Sequence, residues 1–354
     1  MKNIFITVSS LTAGSGLSKY VCSLARILSK SDNIITILTT HTIDLKYEQG
    51  IVKSISNTKL VSFGEFSKLS KYFKVWAYIQ NTCPDIIINN YNAVIQYLLP
   101  FISNKIKIIH VLHNNTNDFY RIGAINGNQV NGWIAPTKAI AENFNIYSGN
   151  KFKERVVVIP HGVETAISMN NDTRTVKNLV FVGVLYEHKG AHLIPTIIHK
   201  LKEKHEKFHF TIIGGGILKD QLHEQLSEDM SKGLVTMTGV IPAQKVYEIL
   251  SQSDIFVYPT HLDAFGLVIA EAMMNGVVPV VTLLSGITDN LVDDGVNGYL
   301  IEKDNIDSFV ESICNLLHNN NLLNQLSDAA TLKANSHFSL KVMQQNYINY
   351  IEKL

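Results

Sequence analysis

Tyr258-Pro259-Thr260-His261-Leu262-Asp263-Ala264-Phe265-Gly266-Leu267-Val268-Ile269-Ala270-Glu271-Ala272-Met273 decides the reading of this 354-residue chain. Ile255-Phe256-Val257 ahead of it is a short apolar strand, and a helix-period segment follows Phe265-Gly266. A glycine at a strand-to-helix junction lets backbone N–H groups approach an anion, and a helix N-terminus favours negative charge. Asp263 and Glu271 stand eight positions apart, one before the helix start and one inside it. The segment offers an anion seat with a carboxylate on either side, and carboxylates accept hydrogen bonds from hydroxyls. Phosphate and hydroxyls together describe a sugar nucleotide.

Outward from this stretch the same alternation runs through the chain. The second half reads as strands at 179–183, 210–213, 235–238, 255–257 and 278–282, with helices from about 191, from 218, near 243–250 and over 267–274. The first half reads as strands at 4–8, 34–38, 85–88, 106–112, 132–135 and 156–159, with helical spacing over 17–28. Several of these strands are continuous in apolar residues, as buried parallel strands are. Residues 165–177 are polar and without apolar period, which predicts a linker. Strand–helix alternation on both sides predicts two doubly wound α/β domains, with the ligand at the strand C-termini.

Length alone argues for two domains. A hydrophobic share of 46% with 17% charged residues excludes a disordered chain. The net charge of +1 hides an asymmetry: residues 1–160 carry 17 Lys+Arg against 8 Asp+Glu (+9), leaving 14 against 22 (−8). Cys22, Cys83 and Cys314 form no Cys-x-x-Cys pair and read as reduced core thiols in a reducing compartment. The apolar run 264–284 is broken by Glu271, Asn275-Gly276 and Pro279, so it is not read as a membrane span. With no signal peptide read at the first residues, the expected location is cytoplasmic, free or on the inner face of the membrane.

The ordered motifs resemble the retaining glycosyltransferases of family 4, which have the GT-B fold and build bacterial cell-surface sugars. That family places two glutamates with seven residues between them, then Ala-Met and a Gly-x-Pro-Val-Val strand. Here Asp263, Glu271, Ala272-Met273 and Gly276-Val277-Val278-Pro279-Val280-Val281 stand in those places. Phe181 to Gly190 resembles the family's phosphate segment, and Ile212 to Gly216 its nucleotide-side glycine turn. Ile159-Pro160-His161-Gly162-Val163 resembles the hinge, and Gly286 to Gly298 the segment that closes the donor site. Two departures stand out: Asp263 is one methylene shorter than the usual Glu, and Val184 replaces an Arg on the diphosphate.

The resemblance implies two Rossmann-like domains facing a central cleft, an acceptor-binding one over 1–165 and a donor-binding one over 166–338, with 339–354 returning to the first. It puts Lys189, Gly183, Gly214 and the Gly14–Gly16 loop on the donor phosphates, together with the amides of Phe265, Gly266 and Leu267. Glu271 would take the ribose hydroxyls, Val240 and Ile241 the base, Asp263 the donor sugar. His113 would face the transferring sugar; no catalytic base is assigned. No cofactor or metal is implied. Each position also has a plainer reading: a solvated surface Lys189, a dipole-pairing Glu271, a turn-capping Asp263, core Val240 and Ile241, and a structural His113. His110, inside its strand, reads as core.

The expected activity moves a hexose or N-acetylhexosamine from a nucleotide-diphosphate sugar, with UDP favoured, to a glycan or polyprenyl-diphosphate-linked acceptor. O-antigen, capsule or lipopolysaccharide synthesis is the implied setting. Phe63 to Trp76 interleaves aromatic, apolar and basic residues, which reads either as a contact with the anionic inner membrane or as an ordinary packed helix. Nucleic acid is not a partner on this reading. A sugar-nucleotide 2-epimerase or phosphorylase, and a non-catalytic GT-B subunit, stay open as alternatives. A nicotinamide dehydrogenase rests on Gly14-x-Gly16 alone, with Lys19 where a third glycine belongs.

Overall fold

The computed structural model describes residues 1–12, 14–42, 45–164 and 176–354. They fall into two units, Met1–Gly162 with Leu340–Leu354, and Val163–Ser339. Most of the linker expected at 165–177 lies outside the described residues.

The first unit is built on seven parallel strands: β1 (Asn3–Val8), β2 (Ile34–Thr39), β3 (Thr58–Ser62), β4 (Ile86–Asn90), β5 (Lys107–Val111), β6 (Gly132–Ala135) and β7 (Val156–Val158). Their order is β3-β2-β1-β4-β5-β6-β7. Successive side chains of a strand point to opposite faces, and the apolar runs use both. Ile4, Ile6, Ile86, Ile88 and Ile109 join one core cluster, which contains helix Gly16–Ser29 residues and Met343, Tyr347 and Ile351 of the terminal helix Leu340–Glu352. Phe5, Ile87, Ile108 and Trp133 face a second cluster, with Val75 and Ile79 of helix Lys68–Thr82. β3 carries only partly buried or exposed side chains at the sheet edge, so no apolar run announced it.

The second unit has six parallel strands: β8 (Lys177–Val182), β9 (Phe208–Ile213), β10 (Val235–Gly239), β11 (Ile255–Tyr258), β12 (Val278–Thr282) and β13 (Tyr299–Ile301). They are ordered β10-β9-β8-β11-β12-β13 around one core. Helices Ile306–His318 and Asn320–Phe338 were not read from sequence. Asn305 and Asn319 cap them, accepting from the amides of Ser308 at 3.1 Å and Leu322 at 3.0 Å. Such caps are worth about 1 kcal/mol each and set where one helix stops and the next begins.

Two expectations fail at the side-chain level. Cys83 is an exposed helix C-cap in the left-handed region (φ +42°), not a core thiol. Lys71 is buried inside its helix with Val75 and Ile79, so only Lys68 and Lys74 of that helix present charge outward. No helix among the described residues is long and apolar enough to cross a membrane.

Candidate active site

Each sheet reverses its strand order once, at β1/β4 and at β8/β11. In open parallel sheets ligands bind outside the strand C-termini at such a switch point. Gly14 and Gly16 follow β1, and Gly183, Lys189 and Asp263 follow β8 and β11, whereas His113 follows β5 and Gly214, Val240 and Ile241 follow β9 and β10.

In the second unit, the turn after β8 and the loop after β11 are stapled together. Gly190 has φ +70°, and a Cβ there would lie 1.8 Å from Pro259 O, so the two loops meet backbone to backbone. His188 O accepts from the amides of His261 (2.9 Å) and Leu262 (3.1 Å) and from Thr260 Oγ1 (3.2 Å). This contact brings Lys189 to Asp263 across 74 positions of chain: Nζ lies 2.8 Å from Asp263 Oδ2 and donates to Leu262 O at 2.9 Å. Tyr258 OH donates to the same Oδ2 at 2.9 Å. Asp263 Oδ1 accepts from the amides of Ala264 (2.7 Å), Phe265 (3.3 Å) and Gly266 (2.9 Å). Burial pushes the Asp263 carboxyl up, but the Lys189 ammonium, with Tyr258 and the Ala264 amide, outweighs it and holds the group below its usual value.

Asp263 thus fills its turn-capping reading, and two of the amides expected on a phosphate are taken up by it. The amides of Phe265 and Gly266, expected to face a phosphate, are engaged by Asp263 Oδ1. Those of Leu267 and Val268, first in helix Leu267–Met274, have no partner among the described residues. Glu271 is 5% exposed, one turn inside that helix. Gly183 and Gly214 pack on each other: Gly214 has φ +141°, and a Cβ on it would lie 1.8 Å from Gly183 O. Val240 is 71% exposed, so it is not core, and Ile241 is partly buried against the core. Val184 is 42% exposed. Gly286 to Gly298 connects β12 to its neighbour β13.

In the first unit, Gly14 (φ +74°) follows β1, and Gly16 begins helix Gly16–Ser29, whose Ser15 cap accepts from Ser18 N at 3.4 Å. His113 lies two residues past β5, only partly exposed. Asn90 Nδ2 donates to Ile88 O at 3.1 Å, which leaves Asn90 Oδ1 to accept from His113 Nε2 at 2.9 Å. That bond fixes the proton on Nε2. Burial, then His161 and His110, hold His113 well below the usual imidazole value, so it acts as a neutral donor. Tyr20 meets the rings of His113 (4.8 Å) and His161 (4.2 Å), and its hydroxyl bonds to Tyr347 OH. His110 is core, hydrogen-bonded to Gln96 Oε1 at 2.9 Å.

Sequence reasoning missed Tyr258, Tyr20 and Asn90. The polar run Asn89-Asn90-Tyr91-Asn92 directly after an isoleucine strand was the available signal for the last. Among the described residues, no three His, Cys, Asp or Glu side chains gather as a metal site.

Two doubly wound parallel sheets, one in each unit, are the architecture of the GT-B fold. The sequence model of the group 1 glycosyl transferases matches residues 166–333, and that of glycosyltransferase family 4 matches residues 14–167. An uncharacterized glycosyltransferase of Methanocaldococcus jannaschii is 24% identical over 378 residues, covering 96% of this chain and 95% of the relative. Anabaena HepE, solved with UDP and glucose, shares the fold at TM-score 0.81 and 15% identity over 100% of both chains. The pneumococcal O-GlcNAc transferase GtfA, solved with UDP and GlcNAc, does so at TM-score 0.84 and 14% identity over 99% of both. Each family model matches just under half of the chain, and together they support a GT-B glycosyltransferase of the group 1 type.

Proposed function

We propose that the chain is a retaining transferase that moves a hexosyl or N-acetylhexosaminyl group from a nucleotide-diphosphate sugar to a glycan or polyprenyl-diphosphate-linked acceptor. UDP is the favoured nucleotide, in keeping with the UDP complexes of the structural neighbours. Bacterial O-antigen, capsule or lipopolysaccharide synthesis is the proposed setting. The observation that carries the reading is the β8/β11 switch point, where Lys189 lies on Asp263 just ahead of a helix that has two amides unbonded among the described residues at its start and Glu271 one turn in. Lys189 and the amides of Leu267 and Val268 would hold the diphosphate, Glu271 the ribose hydroxyls, and Val240 with Ile241 the base. His113, neutral with its Nε2 proton given to Asn90, would offer Nδ1 as an acceptor to a hydroxyl of the transferring sugar. No metal or cofactor takes part in this proposal.

Leu69 (86% exposed) and Phe73 (67%) on helix Lys68–Thr82, with Phe101 (67%) beside them, support a contact of the first unit with an anionic inner membrane. Trp76 Nε1 donates to Phe101 O at 3.0 Å and fixes the two pieces together.

A thermal-shift screen of UDP- and GDP-sugars tests the reading, since a ligand that binds the folded state raises apparent stability. A UDP-sugar should stabilise, and Lys189→Ala should weaken that ligand about ten- to a hundredfold, the worth of a hydrogen bond to a charged group. Nucleotide release that needs acceptor favours the transferase, and interconversion of the nucleotide sugar alone the epimerase. A second reading, a non-catalytic GT-B subunit, is favoured by the inward-bonded Asp263 carboxylate and by Val184. Failure of every nucleotide diphosphate to bind would select it.

A further inference from the structure

We propose that Asp263 is an internal anion that competes with the donor diphosphate for Lys189, so that a ligand binds only if it carries enough charge to displace it. The proposal rests on the nucleotide-sugar reading of the same switch point.

Five donors converge on this one carboxylate: the Lys189 ammonium, the Tyr258 hydroxyl and three consecutive amides. A cation and a run of turn amides is the donor set that receives phosphate at other anion sites. Here the chain supplies the anion itself. The chemistry follows from the length of the side chain. Aspartate bonds readily to amides just ahead of it in a turn, so Oδ1 folds onto residues 264–266 while Oδ2 remains on Lys189. A glutamate has one methylene more, which breaks this fit to its own turn and lets the carboxylate reach outward.

Lys189 is also the only lysine or arginine from residue 178 to residue 199. With valine at 184, the turn after β8 has no second strong base to share between an internal carboxylate and a ligand. A phosphate that takes Lys189 must repel or expel Asp263. A nucleoside diphosphate has the charge to do so, whereas a monophosphate is at a disadvantage. Tyr258 is the positioning residue: it is 2% exposed, and its hydroxyl pins Oδ2 from the strand side.

The test is calorimetry of the full chain with UDP and with inorganic pyrophosphate, for the wild type, Asp263→Asn and Tyr258→Phe. Asparagine keeps a side-chain oxygen for the amides of residues 264–266 and removes the charge from Lys189. Both ligands should bind Asp263→Asn about ten- to a hundredfold more tightly, and Tyr258→Phe should move the same way by less. Acetylation of Lys189 by acetic anhydride, followed by peptide mass spectrometry, should accelerate in Asp263→Asn. Pyrophosphate binding that is unchanged or weaker in Asp263→Asn overturns the competition and leaves the donor reading intact if UDP binds. A gain for pyrophosphate with no UDP binding in any variant overturns the nucleotide reading alone. Binding of neither ligand to any variant overturns both. If Asp263→Asn does not fold, an unchanged or weaker affinity in Tyr258→Phe decides against the proposal.

Discussion

Gly190→Ala is the most direct test of how the β8 turn and the β11 loop are joined. Gly190 and Gly233 share φ +70°, but a Cβ at Gly233 meets nothing within 4 Å, whereas at Gly190 it would lie 1.8 Å from Pro259 O and 2.4 Å from its carbonyl carbon. Gly233→Ala therefore measures the backbone cost alone, about 1–2 kcal/mol for a side chain in the left-handed region. Gly190→Ala adds an overlap with backbone rather than with a flexible side chain, worth about 1–3 kcal/mol more by analogy with overpacked interiors. Relief requires the β11 loop to withdraw, which stretches the bonds from residues 260–262 to His188 O and parts Lys189 from Asp263. Urea midpoints at an unchanged denaturant slope would give the two losses. In thermal unfolding each kcal/mol corresponds to about 2–4 °C for a unit of this size. UDP affinity should fall in Gly190→Ala and hold in Gly233→Ala. Equal losses of stability in the two variants would refute the close-approach argument, and an unaltered UDP affinity in Gly190→Ala would refute its link to the site.

Glu271→Gln keeps the volume of a 5%-exposed side chain and removes its charge; kcat/KM for the donor should drop about ten- to a hundredfold, and an unchanged value removes the ribose role. Burial lowers His110 and His161 to about 3, against about 6.5 in an unfolded chain. The unfolded state therefore takes up protons first, so stability is complete above about pH 6.5 and declines as pH falls towards the folded values. His161→Asn should flatten that decline by roughly 1.4 kcal/mol per pH unit, read from urea midpoints at pH 7, 6 and 5; an unaltered slope contradicts the buried neutral imidazole. Leu69→Ser with Phe73→Ser should reduce co-sedimentation with anionic vesicles several-fold, and wild-type binding no stronger to anionic than to neutral vesicles would sink the membrane contact.

What the sequence disclosed depended on how locally each feature is encoded. β12 and helix Leu267–Met274 fall on their expected residues because each is predominantly apolar and Gly266 and Asn275-Gly276 mark where the helix starts and stops. β3 was invisible because an edge strand with few buried side chains lacks that run. Lys71 shows the limit of reading charge as exposure: its stem lies on the buried face with Val75 and Ile79, where four-residue spacing puts it. Cys83 shows the converse, a residue type usually buried that serves as an exposed cap because the helix stops there.

The site itself was legible as a set of residues and illegible as a set of bonds. Lys189 and Asp263 are joined because β8 and β11 are neighbours in a sheet whose order departs from chain order, and no spacing in the sequence reports strand order. Once they are neighbours, the shorter carboxylate has consequences that the motif alone does not convey. Asp263 turns back on the amides of residues 264–266, so Gly266 gives up its expected place on a phosphate and becomes part of a self-capped loop. The donors left facing outward are the amides of Leu267 and Val268, one step further along the helix start. On the proposed reading the anion seat moves along the chain to these amides, and Glu271 is only one turn from them. A diphosphate bound there would reach Lys189 only in competition with Asp263, which makes Asp263 the residue where this chain's donor affinity can be altered by a single oxygen-to-nitrogen exchange.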